Sequence, residues 1–275
     1  MKRLIFILII AIGFNTFAQE MNIITYNIRF NNPGDGENAW PKRKDLVGQL
    51  LNFYDPDIFG LQEALLGQIK DISNDLPDYK WIGVGREDGK QEGEYSPLFY
   101  NTKRLTLEDK GWFWLAGDCS KPELGWDAAC KRICTWAILS EKQSGKKLLV
   151  LNTHFDHIGN IARSESAKLI LRKIKEINTE DLPVVLTGDF NLSPESEPIN
   201  LLKNELADSK DISEEPAYGP EGTFNSFNFN SPLDRRIDYV FVNKKVKVKK
   251  YAVLSDSKNE HYPSDHLPVF VRIEI

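Results

Sequence analysis

Residues 183–191 read Pro183-Val184-Val185-Leu186-Thr187-Gly188-Asp189-Phe190-Asn191, an apolar run that gives way at a glycine to two polar side chains. Val184, Val185 and Leu186 predict a buried strand, because branched side chains suit a pleated backbone and the run is too short for a helix. Asp189 and Asn191 stand two apart, so in extended backbone both point to one face. A strand ending this way can aim rigidly held polar groups into a cleft.

The same pattern recurs along the chain. Met21–Tyr26 ends in Asn27-Ile28-Arg29, and Asp57–Leu61 ends in Gln62-Glu63. Lys147–Leu151 runs into Asn152-Thr153-His154-Phe155-Asp156-His157, Ile237–Val242 carries Asp238 near its start, and Ser264-Asp265-His266 precedes the strand Val269–Ile273. Lys80–Val84 and Pro97–Tyr100 also read as strands. Helical spacing puts Leu46, Leu50 and Phe53 on one face of Lys42–Phe53, and Leu169, Ile170, Ile174 and Ile177 on one face of Ala162–Ile177. Alternating strands and helices imply sheets covered by helices, hence an α/β or α+β fold. Trp112–Trp136 reads as a long loop or hairpin over one end of the sheets. Lys244–Lys250, interrupted by Val246 and Val248, reads as an edge strand with solvated lysines.

The first residues read as an export signal. Lys2 and Arg3 precede an apolar run, Leu4–Gly13, and Thr16-Phe17-Ala18 offers a small-residue cleavage site. The run falls short of the roughly 20 residues that a bilayer span needs. No cysteine follows it closely to accept a lipid. Cleavage after Ala18 leaves residues 19–275 as one catalytic-domain-sized unit, expected to be soluble and to work in the periplasm or as a secreted protein. Formal net charge is -5 from 35 basic and 40 acidic residues; without Lys2 and Arg3 it is 33 against 40, or -7. Proteins that grip duplex nucleic acid draw their affinity from phosphate neutralisation by a basic surface, which this balance disfavours. Cys119, Cys130 and Cys134 include no C-x-x-C pair, so a thiolate zinc site is not expected, and any disulfide pairing stays open.

The polar strand ends together suggest a chemistry. Asn27, Glu63 and Asp265 are oxygen ligands that suit a hard cation such as Mg²⁺ or Mn²⁺. His154 and His266, the latter beside Asp265, are acid–base candidates because imidazole titrates near neutrality. Asp189 can accept a proton from water while Asn191 orients it or donates to phosphate. Arg163, after Asp156-His157, is placed to start a helix and reach a phosphate. Each has an ordinary alternative: a turn residue for Asn27, a helix-start carboxylate for Glu63, an Asx turn for Asp189, an ion-pair partner of Arg235 or Arg236 for Asp238. The aromatic run Trp112, Phe113 and Trp114 is expected to pack a loop rather than stack on a ligand.

In order and company the motifs resemble the endonuclease/exonuclease/phosphatase superfamily, the DNase-like metallohydrolases. The matching pieces are Thr25-Tyr26-Asn27, Leu61-Gln62-Glu63, Asn152-Thr153-His154, Gly188-Asp189-Phe190-Asn191, Arg236-Ile237-Asp238-Tyr239 and Ser264-Asp265-His266. The resemblance implies a four-layered α/β/β/α sandwich of two mostly antiparallel sheets flanked by helices, with the site at one edge. It implies that Glu63 is the principal metal ligand, with Asn27 and Asp265 near the same Mg²⁺ or Mn²⁺ ion. Asp189 is similar to the residue that positions or deprotonates the attacking water, and Asn191 to one that holds the phosphate. His266, supported by Asp238 or Asp265, is similar to the histidine on the scissile phosphate, and His154 to a second histidine of the nuclease and sphingomyelinase branches. The expected activity is phosphodiesterase or phosphatase action on a phosphorylated small molecule, a lipid headgroup or nucleic acid. A secreted nuclease on DNA or RNA is the nearest alternative, and a non-catalytic phosphate-binding module the alternative of another kind. No protein partner and no stable membrane insertion are expected.

Overall fold

The computed structural model describes residues 20–275, so the export signal read over residues 1–18 lies outside the described residues. From β1 (Glu20–Asn27) the chain passes a short 3-10 turn to α1 (Trp40–Tyr54), then β2 (Ile58–Gln62), α2 (Leu66–Asp75), β3 (Tyr79–Ile82) and β4 (Leu98–Asn101). The second half runs β5 (Leu105–Trp114), β6 (Ile133–Glu141), β7 (Lys147–His154), α3 (Asn160–Ile177), β8 (Val184–Asp189), α4 (Glu197–Lys203), β9 (Ala207–Asp208) and β10 (Asp238–Val242). Finally β11 (Lys247–Val253) and β12 (Val269–Glu274) return to the first sheet. Two six-stranded sheets result, ordered β11-β12-β1-β2-β4-β3 and β5-β6-β7-β8-β10-β9. Each contains one parallel pair, β1 with β2 and β7 with β8, and these pairs deliver Asn27, Gln62, His154 and Asp189 as strand C-termini.

Three apolar layers hold the sandwich together. Between the sheets pack Ile23, Ile58, Leu98, Val150, Val185, Val240 and Val271. Outside the second sheet, Ala167, Ile170 and Ile174 of α3 and Leu202 of α4 cover Leu149, Leu186 and Phe241. Outside the first, Val47 and Leu51 of α1 and Ile69 and Ile72 of α2 cover Ile24, Phe59 and Phe99. Burying both faces of each sheet is what turns its strands into continuous apolar runs rather than alternating ones. The layering is α/β/β/α, as the resemblance implied. No helix among the described residues is long and apolar enough to cross a membrane.

One sequence expectation is corrected. The buried stripe of α1 is Arg43, Val47, Leu50 and Leu51, whereas Phe53 is 79% exposed. The helix is turned by Arg43, whose buried guanidinium donates to the carbonyls of Ile28, Arg29, Asn38 and Pro263, and so ties the ends of β1 to the turn before β12. Trp112–Trp136 takes the hairpin alternative: its ends belong to β5 and β6, which pair antiparallel from Leu105↔Glu141 to Trp114↔Ile133. Phe113 and Trp114 are buried, with Trp114 Nε1 donating to the Arg86 carbonyl at 2.8 Å. The edge strand expected over Lys244–Lys250 forms three residues further on, as Lys247–Val253.

Near one edge the two sheets touch through polar groups. Asn152 of β7 donates to the Leu61 and Pro97 carbonyls of the first sheet at 2.8 and 3.0 Å, and its Oδ1 accepts from Gln62 and Thr187. Gln62 Nε2 also donates to Thr25 Oγ1 at 3.0 Å. A Cβ at Gly60 would lie 2.5 Å from the Asn152 side chain and 2.7 Å from Thr187 Oγ1, so only glycine permits this approach.

Candidate active site

The register of the second sheet sets three of the site residues side by side. His154 pairs with Asp189 across β7 and β8, and Asp189 pairs with Asp238 across β8 and β10. His266 enters from the turn before β12, with Nδ1 2.9 Å from Asp238 Oδ2 and Nε2 3.8 Å from Asp189 Oδ2. Asp238 Oδ2 also accepts from Thr223 Oγ1 at 2.6 Å, which holds the carboxylate behind the imidazole. From the other sheet, Asn27 Nδ2 donates to Asp189 Oδ2 at 2.9 Å and to Glu63 Oε1 at 3.1 Å. His154 Nε2 lies 3.4 Å from Asp189 Oδ2 and 3.0 Å from Asn191 Nδ2, which also donates to the Phe155 carbonyl.

Asn27, Glu63, His154, Asp189, Asn191, Asp238, Asp265 and His266 thus meet at one place. Glu63, His154, Asp189, Asn191, Asp265 and His266 line a cleft of about 750 Å³, while Asp238 stands behind His266. Asn191 reaches it differently from the reading at the strand: β8 stops at Asp189, and Asn191 follows at φ 51°, its backbone N–H donating to Asp189 Oδ1. Arg163 is a correction. It lies in the first turn of α3, donates to the Asp156 carbonyl and to Asn160 Oδ1, and does not line the cleft. The helix does start near here, but the acids holding its first turn are Asp127, accepting from Ile161 and Ala162, and Asp156, accepting from Ile158 and Gly159. Cys119, Cys130 and Cys134 are free thiols.

Electrostatics divide the acid–base groups. Burial and the neighbouring Asp238 carboxylate push Asp189 up to about 7. Burial works against a charged imidazole at His266, but Asp238 and Asp189 overcome it and push His266 up to about 10. His154 goes the other way: burial, then Arg132 and Arg86 nearby, hold it well below its ordinary value, so its ring is neutral. One histidine is therefore cationic and the other uncharged at neutral pH, with a carboxyl that titrates near neutrality between them.

Whether a hard cation suits the site can be judged from its carboxylates. Asp265 faces the cleft, and its one side-chain hydrogen bond among the described residues comes from Ser264 Oγ at 3.3 Å. Burial and then Glu63 act to raise it, a strain between acids that a shared divalent cation relieves. Glu63 itself, at φ 59° just past β2, accepts from the Phe30 N–H at 3.1 Å and lies 3.8 Å from Arg29 Nη1. Glu63 and Asp265 supply oxygens that fit such an ion. Asn27, expected beside them, is fully buried: its Nδ2 donates to Glu63 and Asp189 and its Oδ1 accepts from the Arg29 N–H, so it braces the carboxylates instead of facing the cleft. Asp189, Asp238 and His266 also offer ligand atoms within 4.8 Å of one another, but His266 Nδ1 and Thr223 already engage Asp238, so hydrogen bonding accounts for that group.

The sequence reading missed several cleft residues. Arg86, Glu94, Arg132, Phe224, Phe227 and Arg235 all line it from loops, where no periodicity marks them. Arg43 was missed as well, because a buried arginine on an otherwise amphipathic helix reads as a surface residue.

Comparison with known proteins agrees with this geometry. The model of the Endonuclease/Exonuclease/phosphatase family matches residues 24–266. A solved endonuclease/exonuclease/phosphatase family protein from Bacteroides thetaiotaomicron is 40% identical, with a TM-score of 0.90 over 94% of this chain and 98% of that one. A mannosyl-6-phosphatase from Bacteroides thetaiotaomicron VPI-5482 is 41% identical, with a TM-score of 0.89 over 92% of this chain and 99% of that one. An uncharacterized protein of Acanthamoeba polyphaga mimivirus is 26% identical over 249 residues, 86% of this chain and 92% of its own length.

Proposed function

The chain belongs to the endonuclease/exonuclease/phosphatase family, and from that premise we propose that it is a divalent-metal-dependent phosphatase that releases phosphate from a phosphorylated sugar or similar small molecule outside the cytoplasm. The observation that carries the reading is the convergence of Glu63, Asp265, Asp189 and His266 on one cleft. Glu63 and Asp265 would hold Mg²⁺ or Mn²⁺, with Asn27 bracing Glu63 from behind. Bound there, the ion would neutralise phosphoryl oxygens and stabilise the departing one. His266, charged and braced by Asp238, donates to a phosphoryl oxygen. Asp189, poised near neutrality, takes a proton from the attacking water. Asn191 and neutral His154 orient the groups around it.

The preference for a small phosphorylated substrate is supported by the acidic overall charge and by the 41% identity to a mannosyl-6-phosphatase. Action outside the cytoplasm rests on the export pattern of residues 1–18 and is tested by sequencing the N-terminus of the mature protein from cell fractions. Activity is tested by phosphate release from hexose 6-phosphates, inositol phosphates, bis-p-nitrophenyl phosphate, DNA and RNA, with chelator and Mg²⁺ or Mn²⁺ add-back. Chelator-sensitive release from monoesters is expected. No turnover would leave the binding-module reading, and dominant DNA or RNA cleavage with steep salt dependence would make the chain a nuclease.

A further inference from the structure

The Glu63 side of the cleft meets the His154 side along a wall of charged residues that the reaction itself does not use. Tyr95 N donates to the Ala64 carbonyl, which brings Glu94 beside the Glu63 turn. Arg132 immediately precedes β6, whose Cys134 pairs with Thr153 next to His154. Arg86 forms a two-pronged pair with Glu94, at 2.7 and 2.9 Å. Arg132 lies 3.5 Å from Asp156 Oδ2 and 3.1 Å from His157 Nδ1 through different nitrogens. It is 5% exposed and lines the cleft, yet among the described residues Nη1 has no hydrogen-bond acceptor and Nε faces only Asp156 Oδ2 at 3.5 Å. A guanidinium taken out of water with idle N–H groups is costly, and a ligand oxygen in the cleft would offset that cost.

We propose that Arg132 and Glu94 form the leaving-group subsite and select a hydroxyl-rich, uncharged ring such as a hexose. This rests on the phosphatase reading above and deepens it. Charge decides the ligand's class. Glu94 pairs with Arg86 and Asp156 lies beside Arg132, so this wall carries little net positive charge to draw a second phosphate; Arg235, the cleft arginine with no acidic partner among the described residues, stands apart against Phe224. A hydroxyl accepts from Arg132 and donates to Glu94, whose carboxylate keeps lone pairs beyond those engaged by Arg86. Phe30, Phe224 and Phe227 also line the cleft and offer faces for the C–H side of a sugar ring.

The test uses the full protein with Mg²⁺ and compares kcat/KM on mannose 6-phosphate with that on phenyl phosphate, which carries no hydroxyls, and on adenosine 5′-monophosphate. Wild type is expected to favour mannose 6-phosphate. Glu94→Gln and Arg132→Lys are each expected to lower the ratio of mannose 6-phosphate to phenyl phosphate turnover ten- to hundredfold, the usual scale for a hydrogen bond to a charged group. Because both substrates meet the same active fraction, partial unfolding of a variant cancels in the ratio. A wild type without the sugar preference, a change of less than tenfold in both variants, or a loss confined to the nucleotide overturns the subsite assignment alone. A wild type that releases phosphate from none of the three overturns the phosphatase reading with it.

Discussion

Replacing Asp156 by Asn should loosen the junction between the 115–132 loop and α3, and the size of the effect follows from its contacts. Asp156 is 1% exposed and accepts four backbone N–H groups: Ala129 and Cys130 on one oxygen, Ile158 and Gly159 on the other. Burial alone would raise its carboxyl, but the N–H groups of Gly159, Ile158 and Ala129 and the charge of Arg132 hold it down at about 2, against 3.8 ordinarily. A carboxyl lowered that far stabilises the folded state by about 2–3 kcal/mol at pH 7. Asn offers one acceptor oxygen and sets an amide NH₂ against the other pair of N–H groups, so Asp156→Asn should cost about 2–4 kcal/mol, or roughly 5–12 °C in Tm for a domain of this size. The folded-state value lies below the unfolded one. The stabilisation is therefore complete above about pH 5, about half gone by pH 3 and nearly lost at pH 2. Urea unfolding of wild type and variant between pH 7 and pH 3 measures this. A penalty below about 0.5 kcal/mol at pH 7, or one that does not shrink toward pH 3, would refute the reasoning.

Glu63→Gln should cut metal-dependent turnover about a hundredfold or more and weaken Mg²⁺ or Mn²⁺ binding in calorimetry; unchanged metal affinity would remove Glu63 from the ligand set. Asp238→Asn should lower kcat by about two orders of magnitude or more with an unaltered circular dichroism spectrum, since His266 loses the charge that braces it; a variant above one-tenth of wild-type kcat contradicts that role. Gly60→Ala should destabilise the chain by about 1–3 kcal/mol, because Asn152 and Thr187 must move to admit a methyl group; a Tm equal to wild type would show that the sheets have slack there. Arg163→Ala should leave kcat/KM within about twofold of wild type, and a larger loss would restore the phosphate contact first expected of it.

What could be read from the chain and what could not have separate physical causes. Runs such as Val184–Leu186 announce buried strands because both sheet faces are covered, and the polar residues that end them stand out by contrast. β5 does not announce itself: it is an edge strand carrying Glu108, Asp109 and Lys110 around a bulge, so charge replaces periodicity. The face of α1 was misjudged because Arg43 is buried for its hydrogen bonds to four carbonyls, which no hydropathy pattern records. Residues on the two parallel strand pairs could be placed together from their motifs alone. Arg132 and Glu94 could not, since their meeting depends on loops arriving from β4's and β6's approaches. Arg163 shows the converse error: a helix start is legible, but which way its side chains turn is settled by neighbours such as Asn160.

The ladder that seats His154, Asp189 and Asp238 on one rung of three adjacent strands has a consequence for how such a protein can change. Sliding any of those strands by a single residue would swap inward and outward side chains along its whole length, exchanging the catalytic face for the helix-covered one. The placement of the catalytic groups is thereby locked to the same hydrogen bonds that hold the sheet, and it cannot drift while the fold stands. The loops carrying Glu94, Arg132 and Phe224 answer to no such register, so new substrates can be acquired at the mouth while the reaction beneath is inherited unchanged.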